Sequence, residues 1–419
     1  MKKIQIGIIG CGAMGKGLLY QASIHSEIQC VAISDLKIET CVNFLERLEL
    51  PYKIVNSLAE MHQAVSENKI AATEKSELIP KCETIDAVVE ASSSIIEGGN
   101  YAVSALENGK HLVLMNAEID LLYGPYLVQL SREKNMIYTS IDGDQYGVIK
   151  HLIDDLQNWG FELVMAGNIK GYLDRYANPR MIIPEADKRN LDYKMCTSYT
   201  DGTKLNIEMA LLANAYGMQT ALPGMYGPPA NHVSEVFDLF DFDHLWKDKI
   251  PVVDYVLGAK PDGGVFAVGY CDHPYQREML KYYKMGNGPY YLLYRPYHLC
   301  HIEGMSTIVE AVRHQKILLQ PIRGFQANVF AYAKRSLKAG TKLDGLGGFE
   351  CYGMIENCAD QKNHPGLPIC LADDVILKRD VEKDEKINMA DILIPKNRSD
   401  FALFKKAVKA SANIKKGIF

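Results

Sequence analysis

The sequence has no run of about 18 consecutive apolar residues, the length a helix needs to span a bilayer, and it has no surplus of positive charge. Its 46 Lys and Arg stand against 51 Asp and Glu, a formal net charge of -5. These deficits argue against a transmembrane helix and against a nucleic-acid or anionic-membrane surface, so neither partner is expected. Ten cysteines occur without a Cys-x-x-Cys pair or a zinc-type spacing. That usage fits reduced thiols in a cytoplasmic protein, most of them small core hydrophobes. There is no low-complexity segment and no extended repeat. The opening Met1-Lys2-Lys3 and its apolar run lack a small-residue cleavage site and are broken at once by glycines, so they read as a first core strand and not a signal peptide. What remains is a chain of 419 residues, 47% hydrophobic and 23% charged, the profile of a globular protein of two or three domains.

The densest information lies at the start. Ile4, Ile6, Ile8 and Ile9 form a short apolar strand, followed by Gly10-x-Gly12-x-x-Gly15, a helical stretch, a second strand and then Asp35. Gly10 permits a tight turn, Gly12 lets backbone approach a pyrophosphate, and Gly15 lets the helix pack on the sheet. The N–H groups at Ala13, Met14 and Gly15 would face the phosphates. Asp35, 20 residues beyond Gly15, can accept the ribose hydroxyls of adenosine and repel a 2′-phosphate. NAD is therefore the expected cofactor, with NADP as the alternative because Lys37 can pair with a 2′-phosphate. A glycine-rich turn without a nucleotide is the competing reading of the triplet alone.

Apolar strands alternate with helical stretches up to residue 144, which predicts an α/β doubly wound Rossmann domain over 1–144. Its helices are expected over 39–48, 58–67, 99–108 and 123–134, and later strands over 85–90, 112–115 and 136–140. The strand ends then place Ala91 and Ser92, Asn116, Asp142 and Asp144 on the nicotinamide side. Residues 145–325 change to long loops rich in Gly, Pro, Tyr and His and read as an α+β substrate domain. Residues 326–392 show short strands and polar turns, a small β module, and 393–419 form a helical tail. No long Gly/Ser or Pro-rich linker precedes the module, so it is expected to dock on the chain or on a second subunit, with a homo-oligomer as the expected assembly.

Several segments together resemble a known family: Asn108-Gly109-Lys110-His111-Leu112-Val113-Leu114-Met115-Asn116, Glu185-Ala186-Asp187-Lys188-Arg189-Asn190, Asp201-Gly202-Thr203-Lys204 with Glu208-Met209-Ala210, Gly288-Pro289-Tyr290, and Arg295-Pro296-Tyr297-His298-Leu299. They are similar to the homoserine dehydrogenase-like NAD(P)-dependent oxidoreductases with a C-terminal SAF domain, a group that includes 1-deoxy-D-xylulose 5-phosphate reductoisomerase-like enzymes. The resemblance runs from Ile4 through Ile392 and implies hydride transfer by a nicotinamide cofactor. In homoserine dehydrogenases the strand ending in Asn is followed by a catalytic Lys, whereas Ala117 and Glu118 follow Asn116 here. The resemblance therefore implies a different proton donor, with a Lys of the substrate domain as the natural replacement.

Hydride transfer to a carbonyl requires a proton donor for the developing alkoxide and a clamp for the substrate. Lys170 and Lys204 are the candidate donors, with a solvated lysine beside a turn as the plain alternative for each. Glu208 would share a helix face with Lys204 and orient it or merely pair with it. Arg295 can clamp a carboxylate or phosphate, and His298 can donate a hydrogen bond or move a proton. Asn116, Asp187 and Arg189 complete the candidate substrate-binding set, the last two with a solvated charge cluster as the competing reading. Asp142 and Asp144 can hold a divalent metal that polarises an α-hydroxy ketone, although two carboxylates are a thin ligand set. The expected activity is an oxidoisomerase or reductoisomerase acting on a small polyhydroxylated substrate carrying phosphate or carboxylate. The alternative is a non-catalytic protein that senses NAD(H) or a sugar.

Overall fold

The computed structural model describes residues 2–189, 191–361 and 365–417, with the Arg189 side chain outside that set. The chain is α/β and forms two compact units, one of residues 2–144, 299–324 and 397–417, the other of 145–298 and 325–396.

In chain order the first segment gives β1 (Ile4–Ile9), α1 (Ala13–Ile24), β2 (Ile28–Ser34), α2 (Ile38–Arg47), β3 (Tyr52–Ile54), α3 (Leu58–Ser66), β4 (Ile70–Thr73), β5 (Ala87–Glu90), α4 (Ile96–Glu107), β6 (His111–Leu114), α5 (Ala117–Lys134) and β7 (Tyr138–Ser140). The seven strands pair in parallel in the order β3-β4-β2-β1-β5-β6-β7. Ile6, Ile8, Val89 and Val113 are buried in its core, as parallel strands covered on both faces require. Helix α5 starts six residues earlier than the apolar pattern suggests, because the Asn116 side chain accepts from Ile119 N–H and caps it. It ends at Asn135, left-handed at φ 54°, behind Arg132 and Lys134.

The second unit continues with α6 (Gln145–Asn158), β8 (Glu162–Lys170), α7 (Ile183–Arg189), α8 (Tyr193–Thr200), α9 (Thr203–Tyr216), α10 (Val236–Leu239), α11 (Phe242–Leu245), β9 (Val252–Leu257), β10 (Val265–Tyr270), α12 (Pro274–Tyr282) and β11 (Tyr290–Arg295). Its sheet is mixed, in the order β11-β10-β8-β9, with β8 and β9 parallel and the other pairs antiparallel. Phe240, Phe242 and Trp246 pack with Val164, Val252 and Phe266 to form its core. Helix α9 is buried on all sides from Thr203 to Ala215 and is bounded by two left-handed glycines, Gly202 and Gly217.

After α13 (Cys300–His314) come β12 (Ala327–Ala333), β13 (Lys342–Asp344), β14 (Cys351–Asn357), β15 (Asp373–Leu377), β16 (Ile392–Leu393) and α14 (Ser399–Lys415). The small β module is the antiparallel pair β12–β14 and the three-stranded set β13–β15–β16. It packs on α9 through β12 and β14, so it belongs to the second unit.

Residues 299–324 differ from the contiguous division expected from sequence, which assigns them to the substrate domain. Met305 and Ile308 of α13 join the β1–β2 core of the first unit, and α13 lies along α1, where a Cβ at Gly17 would collide with His301. The terminal helix α14 also returns to the first unit, burying Leu403, Ala407 and Ala410 beside α5.

Candidate active site

The first unit builds a glycine turn at the start of α1. Gly10 has φ +94°, and a Cβ there would stand 2.7 Å from the Ala91 carbonyl oxygen and Ser92 Cα. A Cβ at Gly15 would collide with the Gly10 carbonyl, so that position tolerates only glycine. A Cβ at Gly12 would meet nothing within 4 Å among the described residues. Gly12 opens α1 with no side-chain cap, and the N–H groups of Ala13, Met14 and Gly15 have no intrahelical acceptor. The turn thus combines open space with free donors, the arrangement a pyrophosphate requires.

Asp35 follows β2 and is held by two backbone donors. Its Oδ2 accepts from Cys11 N–H at 2.8 Å and its Oδ1 from Lys37 N–H at 3.0 Å. The carboxylate is thereby fixed against the glycine turn. Alongside, a cavity of about 330 Å³ is lined by Lys16, Lys37, Thr40, Asn43, Phe44 and Arg47, with Glu39 as the acid among its lining residues. Three cations there give an anionic group somewhere to bind, so both ribose readings retain a physical basis.

At the end of β5, residues 91–94 are organised by Glu90, which sequence reasoning passed over. Glu90 is fully buried and accepts from Ser92 Oγ and from Ser92 N–H at 3.2 Å. Burial pushes its carboxyl up to about 8 against these hydrogen bonds, so it is a neutral acid at pH 7. A glutamate ending an otherwise apolar strand before Ala91-Ser92-Ser93-Ser94 was the available signal. Asn116 lies on the other side of the same loop. Its Nδ2 donates to Ser92 O at 2.8 Å and Ser94 O at 3.3 Å while its Oδ1 caps α5, so the amide is committed to shaping the loop.

Asp142 and Asp144 are buried just beyond β7. Asp142 Oδ1 accepts from Gly143 N–H at 2.7 Å, and Asp142 N–H donates to Thr307 Oγ1 at 2.9 Å. Asp144 Oδ1 lies 3.9 Å from Cys300 Sγ, so this turn brings a carboxylate and a thiol together.

The second unit gathers the candidate proton-transfer groups. Lys170 ends β8, and its Nζ donates to Tyr199 O at 2.7 Å. Burial holds its ammonium below the ordinary lysine pKa, while Glu208 and then Asp201 oppose that shift. Lys204 and Glu208 are both buried, one turn apart on α9. Asn168, two residues before Lys170, is buried and its Nδ2 has no hydrogen-bond partner among the described residues. An Asn inside the apolar strand β8 was its sequence signal. Arg295 pairs with Val265, and Val265 with Asn168, so Arg295 and Lys170 reach the same end of the sheet. The Arg295 guanidinium lies 4.5 Å from the Tyr297 ring centroid, and His298 is partly buried three residues on.

Asp187 is exposed on α7 and accepts from Tyr193 Oη at 2.8 Å. Arg189 closes α7, but its side chain lies outside the described residues.

The chain matches no curated protein sequence. Among solved structures it is similar to a probable dehydrogenase from Thermotoga maritima, with 10% identity over 75% of this chain and 90% of that one and a TM-score of 0.43. It is also similar to biliverdin reductase from Synechocystis sp. PCC 6803, solved with biliverdin and NADP+, with 13% identity, 75% and 92% coverage and a TM-score of 0.42. A third is 1-deoxy-D-xylulose 5-phosphate reductoisomerase from Zymomonas mobilis in complex with NADPH, with 12% identity, 50% and 57% coverage and a TM-score of 0.37. Residues 143–304 match the family described as oxidoreductase DRL, catalytic domain, a stretch that contains Lys170, Lys204, Glu208, Arg295 and His298.

Proposed function

We propose that this chain is an NAD(P)-dependent oxidoreductase, an oxidoisomerase or reductoisomerase acting on a small polyhydroxylated substrate that carries phosphate or carboxylate. The observation that carries the reading is the α1 turn, where free helix donors meet open space at Gly12 beside the fixed carboxylate of Asp35. The match of residues 143–304 to an oxidoreductase catalytic domain supports the reaction class.

A dinucleotide, when bound, would supply the hydride. The N–H groups of Ala13, Met14 and Gly15 would hold its pyrophosphate, and Asp35 would bind the ribose diol of NAD. Lys37 in the adjoining cationic cavity is the residue that would instead favour NADP. Lys170, its ammonium destabilised by burial, gives a proton to the oxygen of the carbonyl being reduced and regains it in the reverse direction. Glu208 keeps that ammonium from being lost altogether, and Lys204 shares the helix face from which it acts. Asn168 offers its Nδ2 donor to a substrate oxygen, Arg295 clamps the anionic end, and His298 assists proton movement. Asp142 and Asp144 would contribute to a divalent metal, whose chemistry would be polarisation of an α-hydroxy ketone.

The test is turnover of NADH and NADPH by the full chain with a panel of ketose phosphates and branched sugar acids. Oxidation of either cofactor with any member supports the proposal. Cofactor binding without turnover across the panel would favour the sensing alternative, and failure to bind either cofactor would sink both.

A further inference from the structure

Helix α9, which carries Lys204 and Glu208, is held along its length by the C-terminal β module. Thr203 Oγ1 accepts from Gly353 N–H at 2.8 Å and Asn206 Oδ1 from Ile355 N–H at 2.8 Å. Near its other end Asn214 Oδ1 accepts from Gln326 N–H at 2.7 Å and Ala327 N–H at 3.0 Å. These are backbone donors of the module satisfied by side chains of the helix, so neither part is complete without the other.

The strongest of these ties is a buried ion pair. Lys334, just beyond β12, places its Nζ 2.9 Å from Asp201 Oδ2, with side-chain exposures of 3% and 0%. The same ammonium donates to Ala177 O at 2.6 Å and Gly348 O at 2.8 Å. Asp201 Oδ1 accepts from Thr203 N–H at 2.9 Å and so anchors the first turn of α9 where Gly202 provides no side-chain cap. Asp201 is also one of the two carboxylates that act on Lys170.

We propose that Lys334 is a positioning residue for Lys170: by pairing with Asp201 it fixes the α8–α9 turn, just after the Tyr199 carbonyl to which Lys170 Nζ donates, so the β module completes the proton-transfer half-site. The inference rests on the proton-donor reading of Lys170. The titratable and charged groups around this turn are Lys170 from β8, Lys204 and Glu208 from α9, Asp201 itself, and from the module Lys334 and the buried thiol of Cys351, on which Asp344 and Glu350 also act. Removing Lys334 leaves Asp201 as a buried carboxylate without its cation, which favours proton uptake. Lys170 then loses one of the two charges that keep it an ammonium.

The experiment is competitive acetylation of lysines with limiting acetic anhydride across a pH series, read peptide by peptide by mass spectrometry. It compares the full-length wild type, Lys334→Met, Asp201→Asn and the double variant. The double variant removes both buried charges and therefore keeps a folded chain for comparison if Lys334→Met alone unfolds. The Lys170 titration is expected to move down in Lys334→Met and in Asp201→Asn, and Lys334→Met is expected to add nothing in the Asp201→Asn background. A Lys170 titration in the folded Asp201→Asn chain that is unchanged from wild type, or one moved further by adding Lys334→Met, would overturn the inference. Absence of turnover in the wild type with the shift intact would defeat the oxidoreductase reading and leave only the linkage of Lys334, Asp201 and Lys170 standing.

Discussion

Helices α1 and α9 both begin at a glycine that offers no side-chain cap, and their N-termini are used in opposite ways. At α1 the space beside Gly12 is open, and the first N–H groups are left for an external anion. At α9 the place is taken by the chain itself, because Asp201 accepts from Thr203 N–H and Lys334 neutralises the acid. A Cβ at Gly202 would come within 2.9 Å of Leu173 Cδ1, so no comparable opening lies at the glycine. The difference teaches that an uncapped helix end marks a binding site only where nothing else in the fold satisfies it. Under the proposed function it also separates two tasks, cofactor capture in the first unit and control of proton transfer in the second.

The sharpest way to break that division is Lys170→Met. Turnover should fall by about two to four decades while NADH affinity stays unchanged, as stopped-assay rates and cofactor titration would show. A parallel loss of cofactor binding would mean that the two tasks are not separate. Next in size, Thr203→Val leaves Gly353 N–H without its acceptor and should cost about 1–3 kcal/mol of stability. Its melting temperature should drop with no change in NADH affinity, the reverse of what a substitution at Gly12 should do.

A pH effect of comparable size is expected from Glu90. Its folded pKa of about 8 lies above the ordinary 4.5, so the fold favours the protonated form. The stability this group contributes is fully present below about pH 4.5 and is lost progressively as pH rises to about 8. Glu90→Gln should remove that slope and make the variant more stable than wild type above pH 8, by on the order of a few kcal/mol. Thermal melts at a series of pH values would decide it, and parallel curves for the two proteins would refute the buried-acid account. The smallest expected effect is at Asp35. Replacing it with Ser should relax the preference for NADH over NADPH by roughly tenfold, about the value of one or two hydrogen bonds. A wild type that prefers NADPH would shift the determinant to the cavity of Lys16, Lys37 and Arg47.

What could be read from the sequence follows from how local each signal is. The glycine turn, Asp35 and the α/β alternation lie within contiguous stretches, and the parallel sheet has the expected βα repeat. The edge strand β3 and its neighbour β4 have only three and four residues and carry little periodicity of their own. Lys170, Lys204 and Glu208 could be named as candidates, but their burial depends on β8, α8 and α9 converging. Lys334 gave no local sign of pairing with Asp201, which is 133 residues earlier. The return of α13 and α14 to the first unit is hidden for the same reason, since an amphipathic helix shows that it will be covered without showing by what.

The most direct test is calorimetric titration of the full chain with NADH and NADPH, alongside Gly12→Val. The valine side chain would enter the open space beside the α1 turn, and Gly12 at φ −72° lies where a valine can be accommodated. The account predicts that the wild type binds at least one of the two cofactors and that Gly12→Val melts like wild type but binds about a hundredfold more weakly or not at all. A wild type that binds neither cofactor, or a folded Gly12→Val that binds as tightly as wild type, would contradict it.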